Sequence, residues 1–349
     1  MKKKVALVTG ITGQDGAYLV KLLLKKNYVV HGIKRRTSFI YTPRYDDIYI
    51  DPYFAKTDFK IHYADLTDHS SLTRVISEIL PDEIYNLAAQ SHVGVSFELP
   101  IYTSDVVAMG TLRLLEIIKN LKKRKAIKFY QASSSEMFGK TKSPQNEDSL
   151  MQPLSPYAIS KLYSYWISKC YRDSYGLFAS NGILFNHESP TRGENFVTRK
   201  ITLGVAKIEK GLQSKIVLGN LDSKRDWGDA EEYVEAMWKI LQYRSADDFV
   251  IATGKSITVR KFVEMAFKVI NINIIFKGKG INEKGYNAKN GKLLVEVNKD
   301  YFRPNEVNDL RGNSTKALRK LNWKPKTNLQ NLVKKMVNSD RQKIIKNQL

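Results

Sequence analysis

Short apolar runs alternate with amphipathic stretches through the first half of the chain. Val5–Val8 predicts a strand, and Ala17–Leu24 has the spacing of an amphipathic helix. Val29–Ile33 predicts a second strand and Lys60–Tyr63 a third, ending at Asp65. Ser70–Leu80 reads as helix, Glu83–Ala88 as strand, Val106–Ile118 as helix and Lys128–Ala132 as a fifth strand. Strands separated by helices pair in parallel through right-handed crossovers, so the product expected is a doubly wound α/β sheet. The alternation breaks after Phe185, at Asn186–Pro190. Beyond it Val197–Lys210, Glu231–Gln242 and Val259–Ile270 read as helices, and Gly278 to Gly291, rich in Gly, Asn and Lys, reads as an exposed loop. The pattern divides the chain into a nucleotide-binding half over 1–185, to which some later segments return, and a smaller half over 186–349. A cleft is expected where they meet.

Composition narrows the class. The 349 residues are 42% hydrophobic and 26% charged, which suits a soluble globular protein and not a disordered or membrane-embedded one. Cys170 is the only cysteine, so no intrachain disulfide can form and a reducing cytoplasm is the expected setting. Met1–Lys4 looks like the start of a signal peptide, but Val5–Val8 is too short for its apolar core. No stretch approaches the roughly 18 apolar residues of a membrane span. The net charge of +22 raises the question of a nucleic-acid surface. Lysines are scattered, however, and clusters such as Lys122–Lys125 fall near predicted helix ends, where cations suit the helix dipole. Most of the charge therefore reads as a lysine-rich surface, with neither nucleic acid nor membrane expected as partner.

Gly10, Gly13 and Gly16 stand between a predicted strand and helix, within Gly10-Ile11-Thr12-Gly13-Gln14-Asp15-Gly16. Glycines there allow a tight turn and bring backbone close to a dinucleotide pyrophosphate at the helix N-terminus. The second strand is followed by Lys34-Arg35-Arg36-Thr37-Ser38, where an NAD site would place an acid. Two guanidiniums and two hydroxyls suit a 2′-phosphate, so NADP is the cofactor expected; a solvated basic loop would have the same composition. Asp65 and Leu66 could reach the adenine, or Asp65 could cap the following helix. No metal is expected.

Tyr157 and Lys161 would share one face of a helix that Ser155-Pro156 starts. Tyrosine has a pKa near 10, and lowering it by about three units takes roughly 4 kcal/mol, which two cations at short range can supply. Ser134 would orient the reacting hydroxyl toward Tyr157. Glu136, one pleat further along the strand, would face the same cleft, because alternate residues share a face. A plain dehydrogenase has no use for that carboxylate. Removal of a carbon-bound proton next to a new carbonyl does. A surface glutamate near a loop would show the same pattern.

These residues resemble the extended short-chain dehydrogenase/reductase family, and within it the GDP-mannose 4,6-dehydratase family. The likeness is carried by the glycine string, Tyr85–His92, Asn181–Pro190, Asn195–Lys200, Leu218–Gly228 and Tyr301–Pro304. It implies a Rossmann-type sheet with a smaller C-terminal α/β substrate-binding domain. It also implies oxidation of a GDP-mannose at C4, elimination of water across C5–C6 and hydride return to C6, a first step toward GDP-fucose and related deoxysugars. Carried over by position, Ser134, Glu136, Tyr157 and Lys161 form the catalytic group, Ser134 standing where the family usually has threonine. Leu87, Ala88, Ala89, Gln90, Ser91, Tyr102, His187 and Arg192 match cofactor contacts, together with Lys161 and the glycine string. Ser91, Asn186, Val197, Lys200, Arg225, Arg303 and Glu306 match the nucleotide-sugar side. Thr191 replaces a common arginine of the family. The resemblance implies a dimer or tetramer, with the Arg35–Arg44 loop similar to one that reaches a neighbouring subunit. A 4-epimerase, a dehydratase of another sugar such as a GDP-heptose, a non-catalytic NADP sensor and a nucleic-acid binder are the rival readings.

Overall fold

Strand β1 (Val5–Thr9) is buried from Ala6 onward, as a parallel strand covered on both faces must be. In this computed structural model, which describes residues 2–37, 44 and 57–345, it is an inner strand of a seven-stranded sheet. The chain continues through α1 (Gln14–Lys25), β2 (Val29–Lys34), β3 (Phe59–Tyr63), α2 (His69–Ile79) and β4 (Glu83–Asn86). Two short helices, α3 (Val93–Glu98) and α4 (Pro100–Ser104), lead through a π turn at Asp105–Met109 into α5 (Gly110–Leu121). Then come β5 (Lys128–Ser134), a 3-10 turn at Ser135–Phe138, α6 (Pro156–Tyr175), β6 (Ala179–Leu184) and β7 (Asn186–Glu188).

The later chain forms α7 (Val197–Glu209), β8 (Ile216–Leu218), β9 (Lys224–Asp229), α8 (Ala230–Gln242), β10 (Asp248–Ile251), β11 (Ser256–Thr258) and α9 (Val259–Val269). It ends with β12 (Ile274–Lys277), β13 (Lys284–Asn287), β14 (Leu293–Val297), β15 (Asp309–Leu310), α10 (Thr315–Leu321) and α11 (Leu329–Ile345). The large sheet runs β10-β6-β5-β4-β1-β2-β3, and its pairings are all parallel. One face is covered by α1 and α8, whose side chains join Tyr85, Tyr130 and Trp323 in a single apolar cluster. On the other face α2 and α5 pack over Leu7, Ile84 and Phe129. Strand order reverses between β1 and β4, the switch point at which such sheets open a crevice at their carboxyl ends.

Chain after residue 185 supplies α8 and β10 to this sheet and builds two smaller ones elsewhere. In one, β9 pairs with β7, β11 and β15; the other runs β12-β13-β14-β8. Helices α7, α9 and α11 close over Trp227, Val295 and Val297 in a third apolar cluster. The stretch from Gly278 to Gly291, expected as an exposed loop, instead contains β13, hydrogen-bonded to a strand on each side. Its centre is the buried Gly285, where a Cβ would lie 2.8 Å from Ile274 Cδ1 and 3.0 Å from Val295 Cβ. A strand built around a glycine shows no alternating pattern. Among the described residues no helix is long and apolar enough to cross a membrane.

Candidate active site

The carboxyl ends of β1, β4, β5 and β6 open into one cleft of about 1360 Å³. Its floor is the glycine turn. Gly10 has φ +70°, and a Cβ there would meet the Ala88 backbone at 2.8 Å; at Gly16 it would meet the Gly10 carbonyl oxygen at 2.4 Å. Both positions thus require glycine for close approach. Thr9 Oγ1 accepts from the Leu87 and Ala88 amides at 3.0 Å each, clamping the ends of β1 and β4 together. Gly13, the N-cap of α1, offers no capping side chain, so first-turn amides remain for an anion. Thr12, Ala89, Gln90 and Ser91 line the same wall.

Gln14 and Asp15 line the cleft and also grip the second half of the chain. Gln14 Nε2 donates to the His187 carbonyl at 3.1 Å, and Ser189 Oγ donates to Gln14 Oε1 at 2.7 Å. His187 Nδ1 donates to the Phe185 carbonyl at 2.7 Å, leaving Nε2 at 2.7 Å from Asp15 Oδ2. A carbonyl only accepts and a carboxylate prefers to, so both ring nitrogens carry hydrogen and the imidazole is a cation. Burial alone would raise Asp15, but the His187 cation overrides it and holds the carboxyl down at about 2. Burial likewise would lower His187, and Asp15 lifts it above its ordinary value instead.

At the end of the cleft near β3, Asp65 and Leu66, expected to reach an adenine, are in the lining. Asp65 Oδ1 accepts from the Thr67 amide and hydroxyl, both at 3.0 Å, whereas Asp68 caps α2 by accepting from the Ser70 amide. The alternative reading of Asp65 as the helix cap is therefore corrected by three residues. Arg35 lines the cleft and donates to the Tyr102 hydroxyl, with its guanidinium 6.0 Å from that ring's centre. Arg36 and Thr37 do not join the lining: Arg36 lies 5.9 Å from the Tyr63 ring centre and donates to the Thr37 carbonyl. Ser38 is outside the described residues.

The middle of the cleft holds Ser134, Glu136, Tyr157 and Lys161 together. Ser155 caps α6 by accepting from the Ala158 amide at 3.1 Å, and Pro156 fills the first helical position, setting Tyr157 and Lys161 on the inner face. Burial pushes the Tyr157 phenol up to about 12, while the Ser134 hydrogen bond and the Arg192 charge pull against it. Lys161 is buried, donates to the Ala132 carbonyl at 2.6 Å and lies 5.9 Å from the Tyr157 ring centre. Burial lowers it to about 8, so it still carries its charge at neutral pH. Glu136 is buried at 7% exposure, not on the surface. Its place differs from the expectation in one respect: β5 ends at Ser134, and Glu136 belongs to the 3-10 turn. Ser134 Oγ accepts from the Glu136 amide at 3.2 Å, so the hydroxyl caps that turn.

The outer end is cationic. Lys200 Nζ lies 3.6 Å from the Tyr301 ring centre, and Arg225 is buried with Nη2 3.1 Å from Glu306 Oε1. Arg303 Nη1 is 3.4 Å from Glu136 Oε1. Val197 is on the rim, and Asn186 Oδ1 and Ser223 Oγ are buried without a hydrogen-bond partner among the described residues. Orphaned polar atoms in a cleft are what a polar ligand satisfies. Two contributors escaped the sequence reading. Arg44 lines the cleft and donates to the Thr12 carbonyl at 2.5 Å and the Thr191 carbonyl at 3.0 Å, in its own chain. Glu188, buried, accepts from Thr198 Oγ1 at 2.5 Å and lies 3.3 Å from Arg192 Nε. It stood inside the quoted Asn181–Pro190 string, but nothing in its spacing marked it.

A sequence profile of the family described as GDP-mannose 4,6 dehydratase matches residues 7–336. The chain belongs to this family. A GDP-mannose 4,6-dehydratase of Vibrio cholerae is 53% identical, the match covering 97% of this chain and 94% of that protein. The GDP-mannose 4,6 dehydratase of Drosophila melanogaster is 54% identical over 99% of this chain and 88% of its own, and GDP-mannose 4,6 dehydratase 1 of Arabidopsis thaliana is 53% identical over 97% and 90%. Among solved structures the fold matches dTDP-glucose 4,6-dehydratase from Bacillus anthracis in complex with NAD, with TM-score 0.78, 20% identity and 97% coverage of both chains. It also matches UDP-glucose 4-epimerase from Thermotoga maritima with UDP-glucose, with TM-score 0.79, 22% identity and coverage of 97% and 99%.

Proposed function

We propose that this protein is a GDP-mannose 4,6-dehydratase that converts GDP-mannose to GDP-4-keto-6-deoxymannose and water. The observation that carries the reading is the buried Glu136 carboxylate on the same cleft wall as Ser134, Tyr157 and Lys161. The glycine turn Gly10–Gly16 would hold a nicotinamide dinucleotide, which would supply a hydride acceptor for C4 and a hydride donor for C6. Tyr157 receives the C4 hydroxyl proton and Ser134 holds that hydroxyl in line; the Ser134 hydrogen bond and the Arg192 charge favour phenolate against the burial that raises the phenol, with Lys161 Nζ 5.9 Å from the ring centre. Glu136 takes the proton from C5, which the 4-ketone has acidified, and delivers it to the departing C6 hydroxyl as water leaves. As hydride arrives at C6, Glu136 passes a solvent-derived proton to C5, and Tyr157 releases the proton it took from the C4 hydroxyl to solvent. Arg225, Arg303 and Lys200 neutralise the diphosphate, and Asn186 supplies a free acceptor beside them.

NADP is the form of cofactor that Arg35 favours, since it lines the cleft directly after β2 and the stretch Lys34–Ser38 offers no acid for an NAD ribose. A homo-oligomer is supported by the outward apolar side chains of α6 and α4, with Ile159 57%, Trp166 53% and Ile101 84% exposed. Sedimentation as a single 40.0 kDa species would speak against it. A lone cysteine favours a reducing compartment such as the cytoplasm.

The test is incubation with GDP-mannose and, separately, with other GDP- and UDP-sugars, read by mass. Loss of about 18 mass units, one water, from GDP-mannose is the expected result. An isomer of unchanged mass would favour a 4-epimerase, for which Glu136 has no task.

A further inference from the structure

Four charges of alternating sign run along the outer wall of the cleft. Glu136 Oε1 lies 3.4 Å from Arg303 Nη1, Arg303 Nη1 lies 3.9 Å from Glu306 Oε1, and Glu306 Oε1 accepts from Arg225 Nη2 at 3.1 Å. The two arginines are held in different ways. Arg225 is buried and donates Nη1 to the Lys224 and Val307 carbonyls at 2.9 and 2.8 Å, so three contacts fix its plane. Arg303 is 30% exposed, and its ionic contacts among the described residues are the two long ones to Glu136 and Glu306. It is the loosest link in the chain.

The pairing also has a local reason. A buried carboxylate without a partner is strongly destabilising, and Arg303 gives Glu136 that partner at little geometric cost to itself. A nucleotide diphosphate changes the balance. It brings about two negative charges and a fork of oxygens that a guanidinium meets in a bidentate fashion, which the single oxygen of Glu136 at 3.4 Å does not offer.

We propose that Arg303 holds Glu136 as an ion pair in the free protein and moves to the diphosphate when a nucleotide sugar binds. Glu136 is then released as a base only by the ligand it serves. This rests on the reading of the cleft as a GDP-sugar site. Arg303 acts here as a positioning residue for Glu136, and the coupling is reciprocal: whatever the diphosphate does to the pair, the pair does to diphosphate affinity.

That reciprocity gives a test without turnover, by calorimetric titration of the full-length protein with GDP and with guanosine. Glu136→Gln frees Arg303 in advance, so it should tighten GDP binding by about threefold to tenfold, the scale of a partly buried ion pair. Guanosine, which has no diphosphate to recruit Arg303, should bind both proteins equally. In an Arg303→Met background the Gln substitution should leave the GDP dissociation constant unchanged. Equal GDP affinity of wild type and Glu136→Gln overturns the proposal. So does tightening that persists with Arg303→Met or appears equally with guanosine, since either would be simple relief of repulsion. Wild-type protein that fails to bind GDP at all would instead remove the site reading beneath it.

Discussion

Glu136 owes its position to a single break in extended backbone. β5 ends at Ser134, whose hydroxyl accepts from the Glu136 amide at 3.2 Å, and the 3-10 turn that follows delivers the carboxylate to the cleft wall beside Arg303. Glu136→Gln should keep cofactor binding and cofactor reduction on mixing with GDP-mannose, yet lose water elimination by on the order of a hundredfold to ten-thousandfold. Stopped-flow absorbance of the reduced nicotinamide, followed by product mass, separates the two steps; near-normal turnover would exclude the role given to this carboxylate. Arg35 makes a second prediction at this scale. Arg35→Glu should weaken NADP more than NAD, and an equal loss of both would argue against a 2′-phosphate contact. Ser134, Tyr157 and Lys161 were legible in the sequence because strand end and helix face fix their spacing. The turn was not: capping of Glu136 by Ser134 depends on where the sheet stops pairing, which no local pattern records. Arg44 was equally hidden, because its two carbonyl partners, on Thr12 and Thr191, are far from it along the chain.

Between elements, the joint that matters most is the ion pair from α1 to β7. Asp15 sits in the first turn of α1, and His187 is the middle residue of a strand paired to β9. Its pH dependence has two limbs. His187 is raised in the fold, so its contribution is complete below its ordinary value of 6.5 and is lost as pH climbs through the raised one. Asp15 is lowered from 3.8 to about 2, so its contribution is complete above 3.8 and is lost as pH falls through about 2. Asp15→Asn should therefore cost about 3 kcal/mol at pH 6, where both charges are present, and less at a pH above the raised His187 value. Urea unfolding at the two pH values checks this, and an equal loss at both would mean that the charge of His187 is not involved. The first five strands of the large sheet were readable because apolar runs alternate with helical spacing there. β13 and β7 were not. One is centred on Gly285 and the other is three residues long, so each exists through its neighbours rather than through its own pattern.

For the molecule as a whole, the cleft joins two kinds of surface made by different parts of the chain. The parallel sheet supplies a glycine floor and the Tyr157–Lys161 face, while the loops around β9 and Tyr301–Glu306 supply the cations and Glu306. A dinucleotide on the floor and a diphosphate at the outer end would bring a hexose between them, against Ser134, Tyr157 and Glu136. Net dehydration requires that the hydride removed at C4 be returned before the cofactor leaves, and a single cleft lined from both parts of the chain suits that demand. In the proposed reaction Glu136 strips C5 while the sugar is transiently oxidised. The most direct measurement is conversion of GDP-mannose in deuterium oxide, with the product read by mass and proton NMR. A product that has lost water and carries solvent deuterium at C5 is the outcome predicted; a dehydrated product with an unlabelled C5, or no dehydration at all, would contradict it.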